Sequence, residues 1–243
     1  MNYLKNQLLI LVIKISNKFG RGFILKKKIF SSQRILERNF PKKREFSFIQ
    51  VGANDGISFD FLYEFVISRK ASGLVIEPVI DYFKELVINY DDYPGIIKIN
   101  KAVHSFEKSK KIYKIKESRK QKYPDWVRGI ASFDENHHKK TNISKEDMEV
   151  ENVLADTLMN IITDSYSNKK IDYFQIDTEG YDLEILKMLD FGIIKPSIIK
   201  YEHVNLEEVD VTASIKFLNG KGYSLFNEGN DTLGIDLHRI KLI

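Results

Sequence analysis

The sequence predicts an α/β protein with an open sheet, mostly parallel with one antiparallel strand, and helices on both faces. Three observations carry that prediction. Short apolar runs alternate with amphipathic segments along most of the 243 residues, as they do where strands lie side by side and helices connect them. Runs such as Gly73–Glu77 (GLVIE) lack polar alternation, which fits strands covered on both faces. Near the C-terminus, Tyr223–Asn227 and Thr232–Leu237 flank the turn-forming EGND; this predicts a hairpin, and with it one strand running against the rest.

Each element follows from its local pattern. Residues 46–51 read as the first strand. Residues 57–68 read as a helix with Phe61, Leu62, Phe65 and Val66 on one face. Gly73–Glu77 is the second strand, and 79–90 a helix with Ile80, Phe83, Val87 and Tyr90 at helical spacing. Ile96–Val103 is predicted as the third strand. Residues 105–150 then break the pattern with a short basic strand, Lys110–Lys116, and a polar stretch holding the only tryptophan, Trp126. A polar segment of this length inside a compact domain predicts a binding loop or lid. The alternation resumes with a helix over Asp156–Thr163, a strand over Ile171–Ile176, a helix over Tyr181–Leu189, a strand over Ser197–Tyr201 and a helix over Glu207–Leu218.

The composition, 43% hydrophobic and 30% charged, is that of a soluble globular protein. The chain has no cysteine, which excludes disulfides, thiol nucleophiles and thiolate metal sites and agrees with a cytoplasmic setting. The net charge of +4 is unevenly spread. Residues 1–45 carry twelve Lys or Arg against two Glu, leaving 26 basic and 32 acidic residues in the remainder. The expected organisation is therefore a basic N-terminal helical extension (1–45) and a main domain (46–243) with an acceptor-binding insertion at about 105–150. A basic arm on an acidic body suits an anionic partner, such as the inner face of a membrane. Within it, Leu8–Ile13 (LLILVI) is too short to span a bilayer, which takes about 20 residues. Lys14 and Lys18 also argue against a signal peptide. An amphipathic helix remains.

In sheets of this kind ligands bind beyond the carboxyl ends of the strands. After the first strand, Gln50 and Val51 lead into Gly52, Asn54, Asp55 and Gly56. The second strand ends in Glu77 and Pro78, with Glu77 lying 21 residues beyond Gly56. That is near the ~20 expected of a carboxylate that receives ribose hydroxyls. The G-x-x-x-G spacing lacks the third glycine of a dinucleotide loop, and Asp55 would repel a pyrophosphate. A cationic cofactor fits better, and S-adenosylmethionine carries both an ammonium and a sulfonium. Asp177, Glu179 and Asp182 cluster where the fourth strand ends. Glu202 and His203 end the fifth.

VGANDG, VIEP, INKAV, IDYFQIDTEGYDLEIL and IIKYEH, in this order over roughly residues 46–205, resemble the FkbM family of S-adenosylmethionine-dependent methyltransferases. The resemblance implies the Rossmann-like sheet of class I methyltransferases and a cofactor loop of Gly52, Asn54 and Gly56. It also implies ribose binding at Glu77 and a meeting of cofactor and acceptor at Asp177. Where members commonly carry Asp, this chain has Gln50, an acceptor without charge. The family is associated with hydroxyls of sugars and natural products, so the expected reaction is O-methylation of a glycan or glycolipid.

The insertion stretch VRGIASFDENHHKK (127–140) is expected to cover the acceptor. Trp126 and Phe133 offer faces for a pyranose, and Ser132, Asn136, Glu179, Glu202 and His203 offer polar groups for its hydroxyls. His137, His138 and Asp177 are the candidate proton acceptors. No metal is assigned, although Asp177, Glu202 and His203 are donors at neighbouring strand ends. No feature for holding a flipped base follows the fourth strand, so nucleic acid is not expected as a partner. The alternatives are a nicotinamide-dependent oxidoreductase and a non-catalytic binding module of the same fold.

Overall fold

The structure is a computed structural model that describes residues 2–19, 26, 29–166 and 170–243. Among the described residues two helices, α1 (Asn2–Asn17) and α2 (Ser32–Asn39), precede the first strand. The chain then runs β1 (Phe46–Val51), α3 (Leu62–Ile67), β2 (Ala71–Ile76), α4 (Ile80–Asn89) and β3 (Ile96–Ile99). It continues through β4 (Ala102–Val103), β5 (Ser109–Ile115), β6 (Ala131–Ser132), α5 (His137–Lys140), β7 (Met148–Asp156) and α6 (Leu158–Ser165). It ends with β8 (Tyr173–Ile176), α7 (Asp182–Met188), β9 (Ile198–Glu202), α8 (Glu208–Gly220), β10 (Ser224–Glu228) and β11 (Asp231–Ile235).

The main sheet has the order β10-β11-β9-β8-β1-β2-β3. β11 slots between β9 and β10 and runs antiparallel to both, while the strands from β9 to β3 are parallel. This is the arrangement of a class I methyltransferase, with its single reversed strand. β1 is central and buried along its whole length, which is why its six residues carry no outward polar series. Its alternation feeds two cores. Phe46 and Phe48 join residues of α1 to α4 on one face, and Ile49 and Val51 join α6, α7 and α8 on the other. The chain leaves β1 outward to β2 and β3, and later returns on the other side of β1 as β8. The strand order reverses between β1 and β8, and a crevice opens there at the strand ends.

The two described helices before residue 46 pack on the domain. Ile35 and Leu36 of α2 are fully buried in the first core. Asn6 of α1 donates from Nδ2 to the carbonyls of Leu237 (2.9 Å) and Ile240 (2.7 Å). Among the described residues no helix is long and apolar enough to cross a membrane.

Four expectations need correction. The predicted helix over 57–68 begins only at Leu62, because Asp55 and Asp60 fold the intervening residues into capped turns. The predicted strand Ile96–Val103 is two strands, the second of which belongs to another sheet. The insertion at 105–150 is not a loop: it holds most of a small sheet of order β4-β7-β5-β6. Its longest pairing matches the basic β5 to the acidic β7, from Ser109 opposite Leu154 to Ile115 opposite Met148. Lys114 Nζ lies 2.8 Å from Glu151 and 3.2 Å from Asp81. Cross-strand charge pairing of this sort stabilises strands that look merely polar in sequence. Finally, Asp156 closes β7 rather than opening a helix; Thr157 caps α6, its Oγ1 accepting from Asn160 N.

Candidate active site

At the carboxyl ends of β1, β2, β8 and β9 lies a cavity of about 480 Å³, within the range usual for small-molecule sites. The loop after β1 forms one wall. Gly52 N and Ala53 N both donate to Ile76 O at 3.0 Å, and Asn54 N donates to Glu77 Oε2 at 2.8 Å. The other Glu77 oxygen accepts from Val79 N at 2.9 Å. Glu77 therefore fixes the loop as well as facing the cavity. Each carboxylate oxygen keeps a second lone pair for a ligand hydroxyl.

The loop after β8 forms the opposing part of the crevice. Asp182 is fully buried, and its carboxylate accepts from Thr178 N, Thr178 Oγ1 and Glu202 N. It thereby ties the tips of β8 and β9 together. Asn205 Nδ2 donates to Glu179 Oε2 and to Glu202 Oε2, each at 2.7 Å. The insertion closes on this loop. Ser132 Oγ donates to Glu179 O at 2.9 Å, and His137 Nε2 lies 3.0 Å from Glu179 Oε2. Among the described residues four non-glycine residues take positive φ: Asn54 (50°), Phe59 (66°), Asn142 (55°) and Glu179 (54°). Three of them, Asn54, Phe59 and Glu179, line this cavity. Such backbone costs on the order of 1–3 kcal/mol per residue and persists where the surroundings enforce it, typically at ligand sites.

The cavity is rich in carboxylates. Glu77, Asp177, Glu179, Glu202, Asp60 and Asp231 line it, against Lys101 and Lys200. Both lysines are already paired, Lys200 with Asp231 at 3.0 Å and Lys101 with Asp156 at 3.2 Å. Burial pushes Glu77 up to about 7 despite its two amide donors. Burial, followed by the neighbouring Glu179, pushes Glu202 up to about 8. Asp177 opens on the cavity and is solvent-exposed there; desolvation by the surrounding protein first, and then the charges of Glu202, Asp182 and Glu179, raises its carboxyl above the ordinary range. Acids in this state favour a cationic ligand, which lowers the cost of their ionisation.

Gln50 supplies an independent sign of the same chemistry. Its side chain lines the cavity, and its Oε1 is buried without a hydrogen-bond partner. A buried acceptor left unpaired is costly, and an ammonium donor would satisfy it. An FkbM methyltransferase domain model matches residues 50–225 of the chain.

The chain belongs to the FkbM methyltransferase family. S-adenosylmethionine is accordingly its cofactor, and both the unpaired Gln50 acceptor and the surplus of carboxylates fit that cation. The nicotinamide alternative falls with the family assignment. A crystal structure of an FkbM methyltransferase from Methylobacillus flagellatus KT is 13% identical, with a TM-score of 0.48, over 78% of this chain and 43% of that one. This FkbM chain thus spans less than half of that protein. The fibrillarin pre-rRNA processing protein of Methanococcus jannaschii is 14% identical, with a TM-score of 0.42, over 81% of this chain and 68% of that one. The N-terminal domain of human METTL16, in complex with SAH, is 12% identical, with a TM-score of 0.45, over 84% and 66%. No curated protein matches in sequence.

Of the expected site residues of this FkbM methyltransferase, Gln50, Gly52, Asn54, Glu77, Pro78, Trp126, Phe133, Asp177, Glu179 and Glu202 line the cavity. Others do not. The Asp55 carboxylate is spent on Ile57 N, Ser58 N and Ser58 Oγ, so it caps the turn. Gly56 packs toward Leu86 of α4 and Tyr90 just beyond it. Asn136 is exposed, and His203 turns to Thr232 and Asn227 in the hairpin instead of the cavity. His137 and His138 are buried behind the lining, and Ser132 is engaged with the Glu179 backbone. Among the described residues the cluster of metal-type donors is Asp177, Glu179 and Glu202, whose oxygens lie within 4.8 Å of one another; Glu179 stands where His203 was expected. Sequence reading missed Asp60, Lys200, Asp231 and Asn205, all in the lining. Lys200 did leave a signal, a lone lysine inside the buried run IIKYE.

Proposed function

We propose that this enzyme methylates a hydroxyl of a sugar in a glycan, glycolipid or related natural product. The observation that supports this best is the cluster of Glu179, Glu202 and Asn205 at the tips of β8 and β9, in a cavity that also presents aromatic faces. Phe59 and Trp126 line the cavity with 59% and 49% of their surface exposed. Such faces suit the C–H side of a sugar ring, while Glu179, Glu202 and Asn205 suit its hydroxyls. When bound, S-adenosylmethionine supplies a methyl group on a cationic sulfur, which departs as a neutral thioether as the acceptor oxygen takes the methyl. The protein is left to receive the hydroxyl proton.

Glu179 is the group placed to receive it. Asn205 Nδ2 donates to its Oε2 at 2.7 Å, which orients the carboxylate and leaves its other oxygen for the acceptor. His137, 1% exposed, does not line the cavity, and its Nε2, 3.0 Å from Glu179 Oε2, makes no hydrogen bond there. Loss of a general base costs about 10²–10⁴-fold in rate.

The test is turnover with a panel of saccharide acceptors, with products analysed for O-methyl groups by mass spectrometry. Glu179→Gln should lose 10²–10⁴-fold in kcat while cofactor affinity holds. His137→Ala, a buried position outside the lining, should lose less. Wild-type turnover by Glu179→Gln removes it as the base. Methylation confined to amine or thiol acceptors overturns the sugar assignment.

A further inference from the structure

Helix α1 has two apolar faces, and among the described residues only one of them is covered. On the inner side Asn6 and Ile13 are buried, Leu9 and Ile10 pack against the core, and Tyr3 stacks on His238 with ring centres 4.1 Å apart. The Asn6 hydrogen bonds to Leu237 and Ile240 fix the helix in rotation. A helix turns by about 100° per residue, which places Leu4, Leu8, Leu11, Val12 and Ile15 together on the outward side. They are 77%, 63%, 52%, 45% and 49% exposed, and Phe19 just beyond the helix is 77% exposed. On the same geometry Lys5 lies along one edge of this stripe and Lys14 along the other, with Lys18 following it. No acidic residue occurs before Glu37.

We infer that α1 seats the protein on an anionic phospholipid surface, its outward stripe in the interface and its lysines at the headgroups. An apolar face edged by lysines is the pattern of helices that lie in the plane of a bilayer, about 5–10 Å deep. Charge selects this occupant. Residues 1–45 carry twelve basic against two acidic residues, whereas the rest of the chain carries more acidic than basic ones, so an anionic surface attracts this end and not the body. A second copy is disfavoured, since stripe-to-stripe pairing about a two-fold axis would bring the same lysine rows together. At 16 residues, α1 is about 24 Å long and cannot span.

The placement is compatible with catalysis. α1 docks on residues just past β11, whose last residue Ile235 pairs with Ile198 at the start of β9. The cavity lies at the other end of β9, beside Glu202. A seated helix therefore leaves the cavity mouth free.

The experiment is co-sedimentation of the full chain with phosphatidylcholine vesicles, with and without phosphatidylglycerol, at low and high salt. Binding to the anionic vesicles, weakened by salt, is expected. The double variant Leu8→Glu/Ile15→Glu changes only exposed positions; it should lower partitioning by well over about tenfold while thermal stability and cofactor affinity stay at wild-type values. Absence of binding at low ionic strength, where attraction is greatest, overturns the proposal. So does a dimer in solution that the double variant converts to monomer, since the stripe would then join two copies.

Discussion

A β-carbon placed on Gly52 would stand 1.7 Å from the backbone carbonyl oxygen of Asp177. The ends of β1 and β8 converge at this point, where Asp177 N donates to Val51 O at 3.0 Å. Gly52 also holds a φ of +77°, so both space and backbone require glycine. The glycines of the VGANDG loop serve the protein's own packing first. Gly56, at φ +82°, leaves a β-carbon only 2.7 Å from side chains of Leu86 and Tyr90. The close approach of two strand ends is what brings Asp177 beside the cofactor loop.

Gly52→Ala should therefore destabilise the fold by more than about 3 kcal/mol, combining left-handed strain with a backbone clash that no rotamer relieves. Gly220→Ala is the control. Nothing lies within 4 Å of its added carbon, and alanine in a helix gains roughly 0.5–1 kcal/mol over glycine. Urea unfolding of the two variants should move in opposite directions.

Stability of the cofactor-free protein should fall as pH rises from about 5 to about 8. Burial raises Glu77 from 4.5 to about 7, Asp182 from 3.8 to about 7, and Glu202 from 4.5 to about 8. An acid raised in the folded state binds its proton there more tightly than in the unfolded chain. Its contribution is complete below the unfolded value and disappears as pH climbs through the folded one. His104, lowered by burial, acts in the opposite sense but is a single group against three. Thermal melts across this range should show Tm decreasing. Saturating S-adenosylmethionine should flatten the decline, because its positive charge favours the ionised acids. A Tm that rises steadily to pH 8 would refute the account.

Much of this was readable in the sequence because the central strands of the main sheet are largely buried and show it as runs that are mostly apolar. Phe46–Val51 and Ile198–Glu202 are instances. The reversed β11 followed from its turn residues. The second sheet was hidden because β5 and β7 are held by lysine–glutamate pairs across strands distant in sequence, such as Lys114 with Glu151. The site divides in the same way. Gln50, Glu77 and Asp177 sit at strand tips and could be found by counting. The burial of His137 behind Glu179 depends on where a 46-residue excursion returns, which no local pattern encodes. The Asp60 carboxylate, which accepts from Gln175 Nε2, was hidden inside what read as a helix.

Gln50 gives the sharpest test of the cofactor site, because one substitution should move stability and binding in opposite directions. Its Oε1 is buried, lines the cavity and has no partner within the protein. Replacing Gln50 by Leu, of similar size, removes that unpaired oxygen. The cofactor-free protein should then be as stable as wild type or more so, since an unsatisfied buried polar atom costs about 1–3 kcal/mol. Cofactor affinity should fall, because the ammonium would face an alkyl group where it had an acceptor. A hydrogen bond to a charged group contributes about 1.5–3 kcal/mol, which corresponds to roughly 10- to 150-fold in Kd. Gln50→Asp restores an acceptor and adds charge, so it should recover binding while lowering stability in a cavity already crowded with carboxylates. Calorimetric titration with S-adenosylmethionine, set beside thermal melts of the three proteins, reads both quantities. If Gln50→Leu binds the cofactor like wild type, the ammonium lies elsewhere, and the unpaired oxygen answers to another ligand.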